Sequence, residues 1–374
     1  MTEDAASSST VTITYPKAGS GSEGLGDQGA ALINKCLAFN SGSGLSTIVI
    51  NRSIENEGAA PFATADRYSS TVGYTVEPDN AVGLIPLLAT DCTFEKWDVR
   101  DAVGLAAYQT KEANKSAQVV LTEQIYAAAY GAQSPMGRPF YCADAHMHEI
   151  VEFRNQGYGL NGAILAATGI KDHGAFCEEV EELLKDSPTG TSAPAPVATY
   201  MGGEGRLSAP SAGYAHVALA FNADVSTPMR KVVKHCFSLL GQEAGVSAFD
   251  VGGLVGIYAG APSAGVGALE SAMTKTLTAA PAGDVVARAK TMAKAEALFG
   301  LDCGSKGLAS AMTAVVLEGG SFTNAAAVAA SYDAITASDV SSAISAVLKT
   351  NVTLAALGDI GVLPYQGTFA SRFS

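Results

Sequence analysis

Four stretches of this 374-residue chain hold side chains whose types and spacing are able to do chemistry. GLGDQGAALINKC (Gly24–Cys36) opens on G-x-G-x-x-G, the spacing that seats a dinucleotide pyrophosphate on a helix N-terminus. AHMHE (Ala145–Glu149) gathers two histidines and a glutamate, enough to begin a metal site. In DHGAFC (Asp172–Cys177), His173 and Cys177 stand one helical turn apart. In RKVVKHCFSLL, His235 and Cys236 are neighbours.

Each stretch also has a plainer reading. The fingerprint requires its first glycine directly after a strand, yet KAGSGSE separates Gly24 from the strand-like VTITY (Val11–Tyr15). The next strand-like run, TIVINR (Thr47–Arg52), leads through a short polar turn into ATADRYSSTVGYTVE. That pattern predicts antiparallel pairing, where a nucleotide fold would insert a helix. Gly26 and Asp27 then begin a core helix, with Asp27 as N-cap and Ala30, Ala31, Ile33, Leu37 and Ala38 as its apolar face. His146 and His148, two positions apart, diverge on a helix, so AHMHE reads as a turn or surface segment. His173 and Cys177 are able to touch, but the acids that follow oppose a reactive thiolate. Those acids, in EEVEELLK (Glu178–Lys185), predict an amphipathic surface helix with Val180, Leu183 and Leu184 inward. Adjacent helical residues do not face each other, so His235–Cys236 reads as a buried thiol beside a solvated imidazole.

The elements that position these groups come in two similar sets. In the first, a strand VGYTVE (Val72–Glu77) precedes a helix-like AVGLIPLLATDC (Ala81–Cys92), a turn, and a long Ala-rich helical stretch from Asp98. In the second, VGIYAG (Val255–Gly260) precedes GVGALESAMTKTL (Gly265–Leu277), a turn, and another long stretch from Asp284. The strands are offset by 183 positions (72 to 255) and the long helices by 186 (98 to 284). So constant a shift over four elements predicts duplication of a unit of roughly 180 residues. Between the sets lies KDSPTGTSAPAPVATY (Lys185–Tyr200), without periodicity and rich in Pro, Ser, Thr and Gly. The expected architecture is α+β: two homologous domains, 1–184 and 201–374, each an antiparallel-rich sheet covered by helices, joined by a linker at 185–200.

Bulk composition narrows the function classes. A net charge of −13 with a pI near 4.8 is the wrong sign for a phosphate backbone, so nucleic acid is not an expected partner. No apolar run reaches the roughly 20 residues of a membrane span. Six scattered cysteines without a C-x-x-C read as reduced thiols. MTEDAASSST carries neither a signal-peptide apolar core nor an Arg-rich presequence.

A strand ending in KAGS, a polar loop and a glycine-led helix resemble the opening of the inverted-zincin metallopeptidases, the family of pitrilysin, insulin-degrading enzyme and the mitochondrial processing peptidase. In active members that helix carries His-x-x-Glu-His, which holds zinc on one face and activates water. Aligned on Gly26, the resemblance puts Gly29, Leu32 and Ile33 at those three positions, and none can ligate or act as base. The remaining carboxylate ligand is expected within Asp98–Glu112. The resemblance therefore implies no catalytic residue, no metal and no cofactor on this chain.

Further matches are GYTVE (Gly73–Glu77), FEKWDVRD (Phe94–Asp101), AAAYG (Ala127–Gly131), PFYCAD (Pro139–Asp144) and YMGGEGR (Tyr200–Arg206). These resemble the inactive core-subunit branch of the family, found in mitochondrial respiratory complex III. They imply a structural role peripheral to the inner membrane on the matrix side. The implied partners are a core protein 1 or β-type processing-peptidase subunit, cytochrome b and cytochrome c1. An α-type processing-peptidase subunit that binds basic presequence peptides is the alternative, and a free-standing hydrolase is an outlying third. The chain departs from the family in lacking the strand that usually precedes VTITY. It is also short around LLGQEAGVSAFDVGG (Leu239–Gly253), where Gly241 and Gly245 stand in place of a presequence-handling glycine-rich loop.

Overall fold

The structure is a computed structural model that describes residues 7–89, 93–190, 198–322 and 324–373. In chain order the first elements are β1 (Ser9–Tyr15), α1 (Ala30–Cys36), α2 (Thr47–Asn56), β2 (Ala60–Ala65), β3 (Ser70–Val76), α3 (Lys96–Ala113) and α4 (Ala117–Tyr130). Then come α5 (Met147–Gly157), β4 (Ile164–Thr168), α6 (His173–Leu184), β5 (Gly203–Ser208), β6 (Tyr214–Asn222), α7 (Thr227–Gly241), β7 (Ser247–Val251) and β8 (Leu254–Pro262). The chain closes with α8 (Val266–Thr278), α9 (Gly283–Asp302), α10 (Gly304–Leu317), α11 (Ala325–Asp333), α12 (Ala337–Leu348), β9 (Thr353–Gly358) and α13 (Gln366–Phe373).

The strands form two sheets, ordered β2-β3-β1-β4 and β5-β9-β6-β8-β7. In the first, every neighbouring pair is antiparallel. In the second, all pairs are antiparallel except β5, which lies parallel to β9 along one edge. Without β5, the second sheet repeats the first strand for strand: β6, β7, β8 and β9 take the places of β1, β2, β3 and β4. The α+β duplication expected from the sequence is therefore present in the sheet topology.

The repeat extends to single residues. Gly73 of β3 lies opposite Phe62 of β2, and Gly256 of β8 lies opposite Phe249 of β7. In both sheets the aromatic ring covers the glycine. A Cβ at Gly73 would sit 2.8 Å from the Val11 carbonyl oxygen and 2.9 Å from the Phe62 ring; at Gly256 it would sit 2.2 Å from the Leu219 carbonyl oxygen and 2.5 Å from the Phe249 ring. Backbone cannot yield as a side-chain tip can, so Gly73→Val and Gly256→Val should each cost about 2 kcal/mol or more in urea unfolding. Gly267→Ala, whose added Cβ meets nothing within 4 Å, should be neutral or slightly stabilising.

Alternation along the central strands gives each sheet two faces. Val11, Ile13 and Tyr15 of β1 enter one core with α1, α2, α3 and α5. Thr10, Thr12 and Thr14 point the other way and bond to Thr75, the Ala166 carbonyl and Thr71. In β6, Val217, Leu219 and Phe221 enter the larger second core, while Ala218 and Ala220 pack with Leu121, Ile125 and Ala129 of α4.

The compact units are not contiguous in sequence. One comprises Met1–Ala113, Arg138–Val197 and Gly300–Thr323; the other comprises Asn114–Gly137, Ala198–Phe299 and Asn324–Ser374. Thus α4, from the first half of the chain, packs on β5, β6 and β9, and α10, from the second half, packs on β1 and β4. Of the linker expected at 185–200, residues 191–197 lie outside the described residues.

Two expected elements differ. TIVINR is not a strand: Thr47–Asn56 is the helix α2. Its β-branched residues favour strand locally, but Ile50 and Ile54, one turn apart, are buried while Ile48 and Val49 are exposed, which is helical spacing. The antiparallel partner of β3 is instead β2. In the helix-like Ala81–Cys92, the described helical part is the short 3₁₀ segment Ile85–Ala89, and Thr90–Cys92 lie outside the described residues. Pro86, lacking an N–H, withholds one of the bonds an α-helix would need there.

Candidate functional site

The segment between β1 and α1 contains the glycine spacing that first drew attention. After Tyr15 the chain makes a short 3₁₀ turn at Ser20–Ser22 and reaches Glu23, which is 2% exposed. The Glu23 carboxylate accepts the Gly29 N–H (3.1 Å) on one oxygen and the Ala31 N–H (2.8 Å) on the other. Glu23, not Asp27, therefore caps α1. Asp27 accepts from the Gly24 N–H, and the helix N-cap position is Gly29 at φ +90. The cap comes from a residue ahead of the glycines because the chain loops back over the helix end, a geometry that local N-cap rules do not anticipate.

Three arginines surround this corner, all nearly buried: Arg67, Arg138 and Arg154. Arg138 donates to the backbone carbonyls of Glu23 and Gly24, and Arg154 lies over the Phe94 and Tyr158 rings. Burial pushes the Glu23 carboxyl up to about 7, against the pull of the two helix amides and Arg138.

Gly29, Leu32 and Ile33, the positions that the family resemblance sets against the zinc motif, have plain structural roles. Gly29 occupies a left-handed conformation in which an added Cβ would lie 2.4 Å from the Cys142 carbonyl oxygen. Leu32 and Ile33 are fully buried in the first core, each contributing about 1.5–3 kcal/mol of apolar burial. The apolar face expected for the helix is present, with Ala30, Ala31, Ile33 and Leu37 buried and Ala38 half-buried.

The less buried side of α1 carries Lys35 and Cys36. Lys35 Nζ donates to Gln109 Oε1 on α3 at 3.1 Å, so the polar link between these helices is an amine and an amide. Sequence reasoning passed over this pair, although Lys35 is the one charged residue within α1. Of the carboxylates in Asp98–Glu112, Asp98 accepts from Ser41, and Asp101 pairs with Arg100 at the surface. Neither the zinc-motif positions nor this linked pair offers the imidazole, thiolate and carboxylate donors that hold zinc. Among the described residues, no three His, Cys, Asp or Glu side chains gather closely enough for a metal ion.

The other histidines are also accounted for. His146 is the N-cap of α5 and forms a reciprocal capping box with Glu149, the turn role expected of AHMHE; His148 is exposed, 3.9 Å from Glu152. Cys177 Sγ lies 3.8 Å from His173 Nε2 on the exposed side of α6. The inward stripe of that helix is Phe176, Val180 and Leu184; Leu183, expected inward, is exposed because it falls off this i, i+4, i+8 line. His235 is not solvated: it is nearly buried, with Nε2 2.8 Å from Glu296 of α9, and Lys234 holds the same carboxylate. Burial keeps the His235 imidazole below its ordinary range, and its cationic neighbours hold Glu296 down. The neighbouring Cys236 thiol is buried, as expected, and pushed up to about 11 by burial.

The family profile "Insulinase (Peptidase family M16)" matches residues 1–144, the stretch that builds β1 to β3 and α1 to α4. The likeness to that family is confined to this N-terminal stretch. It is 25% identical to the mitochondrial-processing peptidase subunit alpha of Solanum tuberosum over 96% of this chain and 80% of that protein. It is also 24% identical to subunit alpha-2 of Dictyostelium discoideum, over 76% of this chain and 72% of that one. A chain of the Candida albicans complex III2, bound to Inz-5, has the same fold: TM-score 0.84, 19% identity, covering 99% of this chain and 95% of that one. That shared fold includes the second sheet, beyond the stretch that the family profile matches. The helix α1, with Gly29, Leu32 and Ile33, lies within the matched stretch. No helix among the described residues is long and apolar enough to cross a membrane.

Proposed function

We propose that the protein is a non-catalytic, core protein 2-type subunit of mitochondrial respiratory complex III. It pairs with a second M16-type chain of the core protein 1 kind on the matrix side of the inner membrane and braces cytochrome b, cytochrome c1 and their neighbours. The observation that carries this reading is the fold shared with a complex III chain over nearly the whole length of both. The occupants of α1 support it. Glycine, leucine and isoleucine provide no donor for zinc, and Leu32 and Ile33 are fixed in the core as packing residues.

A second reading, an α-type processing-peptidase subunit, is favoured by the names of the sequence relatives and by the acidic charge, which suits basic presequences. Against it stand the two glycines of the shortened region. Gly245 takes φ +67 in the turn from α7 to β7, and a Cβ on Gly241 would lie 2.6 Å from the Val246 carbonyl oxygen. Both serve a tight turn, not an open peptide-handling loop.

The test is affinity purification of the native assembly under mild detergent. Co-purification with b- and c-type haem absorbance, in stoichiometric amount, is expected. A haem-free two-chain assembly that cleaves presequences would replace this reading with the second.

A further inference from the structure

The face of the second sheet that α4 covers continues past the start of that helix. Leu121, Ile125 and Ala129 of α4 pack on Ala218, Ala220 and Ala355. Two residues further along the strands, Leu207 of β5 lies opposite Leu357 of β9, Leu357 opposite His216 of β6, and His216 opposite Gly260 of β8. Direct partners share a sheet face, so Leu207, Leu357 and His216 form one row about 10 Å across. A cavity of about 560 Å³ opens over this row, within the roughly 300–1,000 Å³ of small-molecule sites. Tyr214 also lines it, with its ring lying against Gly260, where an added Cβ would be 2.9 Å from the ring. All of these residues belong to the same compact unit.

The row is flat, largely apolar and uncharged. His216 Nδ1 is 2.6 Å from the Tyr258 hydroxyl, and the two rings are stacked. Tyr258 is not part of the cavity wall, so Nε2 is the ring nitrogen left for a ligand. A phenol is the stronger donor of the two groups. Tyr258 therefore donates to Nδ1, the ring proton resides on Nε2, and Nε2 is a hydrogen-bond donor. Burial holds the imidazole below its ordinary range, so at neutral pH it contributes that N–H and no charge. No aspartate or glutamate among the described residues lines the cavity, and Lys115, in its lining, is exposed and already engaged within the chain. Charge does not select the ligand here; a flat shape and one N–H do.

We propose that this cavity binds a neutral, flat aromatic molecule of two fused rings, laid on the Leu207–Leu357–His216 row, with a carbonyl oxygen that accepts the His216 Nε2–H. The Tyr214 ring provides a second aromatic surface for it, 4.9 Å from that of His216. The inference is independent of the complex III reading, because it concerns one unit of the isolated chain.

The probe is coumarin, titrated into the full-length protein and followed by ligand-observed NMR. Saturable one-site binding is expected, with a dissociation constant of about 1 mM or tighter. His216→Phe keeps a flat ring and removes the donor, so it should weaken coumarin about fivefold or more. Indole, equally flat but without an acceptor, should bind the wild type about fivefold more weakly than coumarin and be unaffected by His216→Phe. Leu207→Asp should weaken both probes, and Lys115→Gln neither. Coumarin-3-carboxylate, which adds a charge, should bind no tighter than coumarin. Absence of saturable coumarin binding up to about 10 mM overturns the proposal. So does indole binding as well as coumarin, a tighter carboxylate, or a coumarin affinity that His216→Phe or Leu207→Asp leaves unchanged. Leu207 is exposed on an edge strand, so its variant folds and the result is readable even if His216→Phe does not fold.

Discussion

Expressed separately, residues 1–190 and 198–374 should each fail to reach a native fold; expressed together they should assemble one. The repeat boundary expected at 185–200 would make each half a domain. The packing assigns one helix of each half to the other unit. Residues 1–190 lack α10, whose Ser305 takes hydrogen bonds from Thr10 and Thr168 and whose Ala309 and Met312 are buried. Residues 198–374 lack α4, leaving Ala218, Ala220 and Ala355 without the Leu121, Ile125 and Ala129 that cover them. Each large apolar side chain removed forfeits about 1.5–3 kcal/mol, and unpaired threonine hydroxyls on a sheet face forfeit more. Those losses together approach the 5–15 kcal/mol or so that separates a folded domain from its unfolded chain. Circular dichroism with retained helix, weak near-ultraviolet signal and dye binding would mark the lone halves as collapsed but unpacked. A lone residue 1–190 fragment that unfolds cooperatively as a monomer would refute the interlocked reading and restore two sequence-contiguous domains.

What the sequence disclosed, and what it hid, follows the range of the interactions involved. The duplication was legible because it is a statement about order: strand, helix, turn and long helix recur at a fixed spacing, and the sheets inherit that order. The core role of α1 was legible from its apolar positions. Its cap was not, because Glu23 reaches Gly29 and Ala31 by a return of the chain that no local rule encodes. TIVINR misled for a related reason: six residues with a β-branched bias carry no record of whether Ile50 and Ile54 will share a face. His235 was misjudged because its partner, Glu296, lies 61 positions away on α9. The exchange of α4 and α10 was invisible too, since each follows its preceding long helix in the same way and only tertiary packing assigns it to the opposite unit.

Glu23 is where this hidden geometry has its strongest energetic signature. Its carboxyl titrates near 7 in the folded protein against an ordinary 4.5, so between these values the folded chain holds a proton that the unfolded chain has released. Stability drawn from this group is then complete below about pH 4.5 and declines as pH rises through 7, by on the order of 3 kcal/mol. Glu23→Gln removes the titration. It keeps one carbonyl oxygen for a single helix amide and leaves the other N–H facing an NH₂ group, so at low pH the variant is less stable by about 1–3 kcal/mol. Because the wild type loses stability with rising pH while the amide does not, the gap between the two proteins should narrow from pH 5 to pH 8. Urea midpoints across that range measure it directly, with contributions from other titrating groups cancelling in the difference. A gap that widens instead would mean that Arg138 and the two amides keep Glu23 ionised in the folded state, with its folded carboxyl held below its unfolded value. The corner would then be stabilised by a buried charge instead of strained by one.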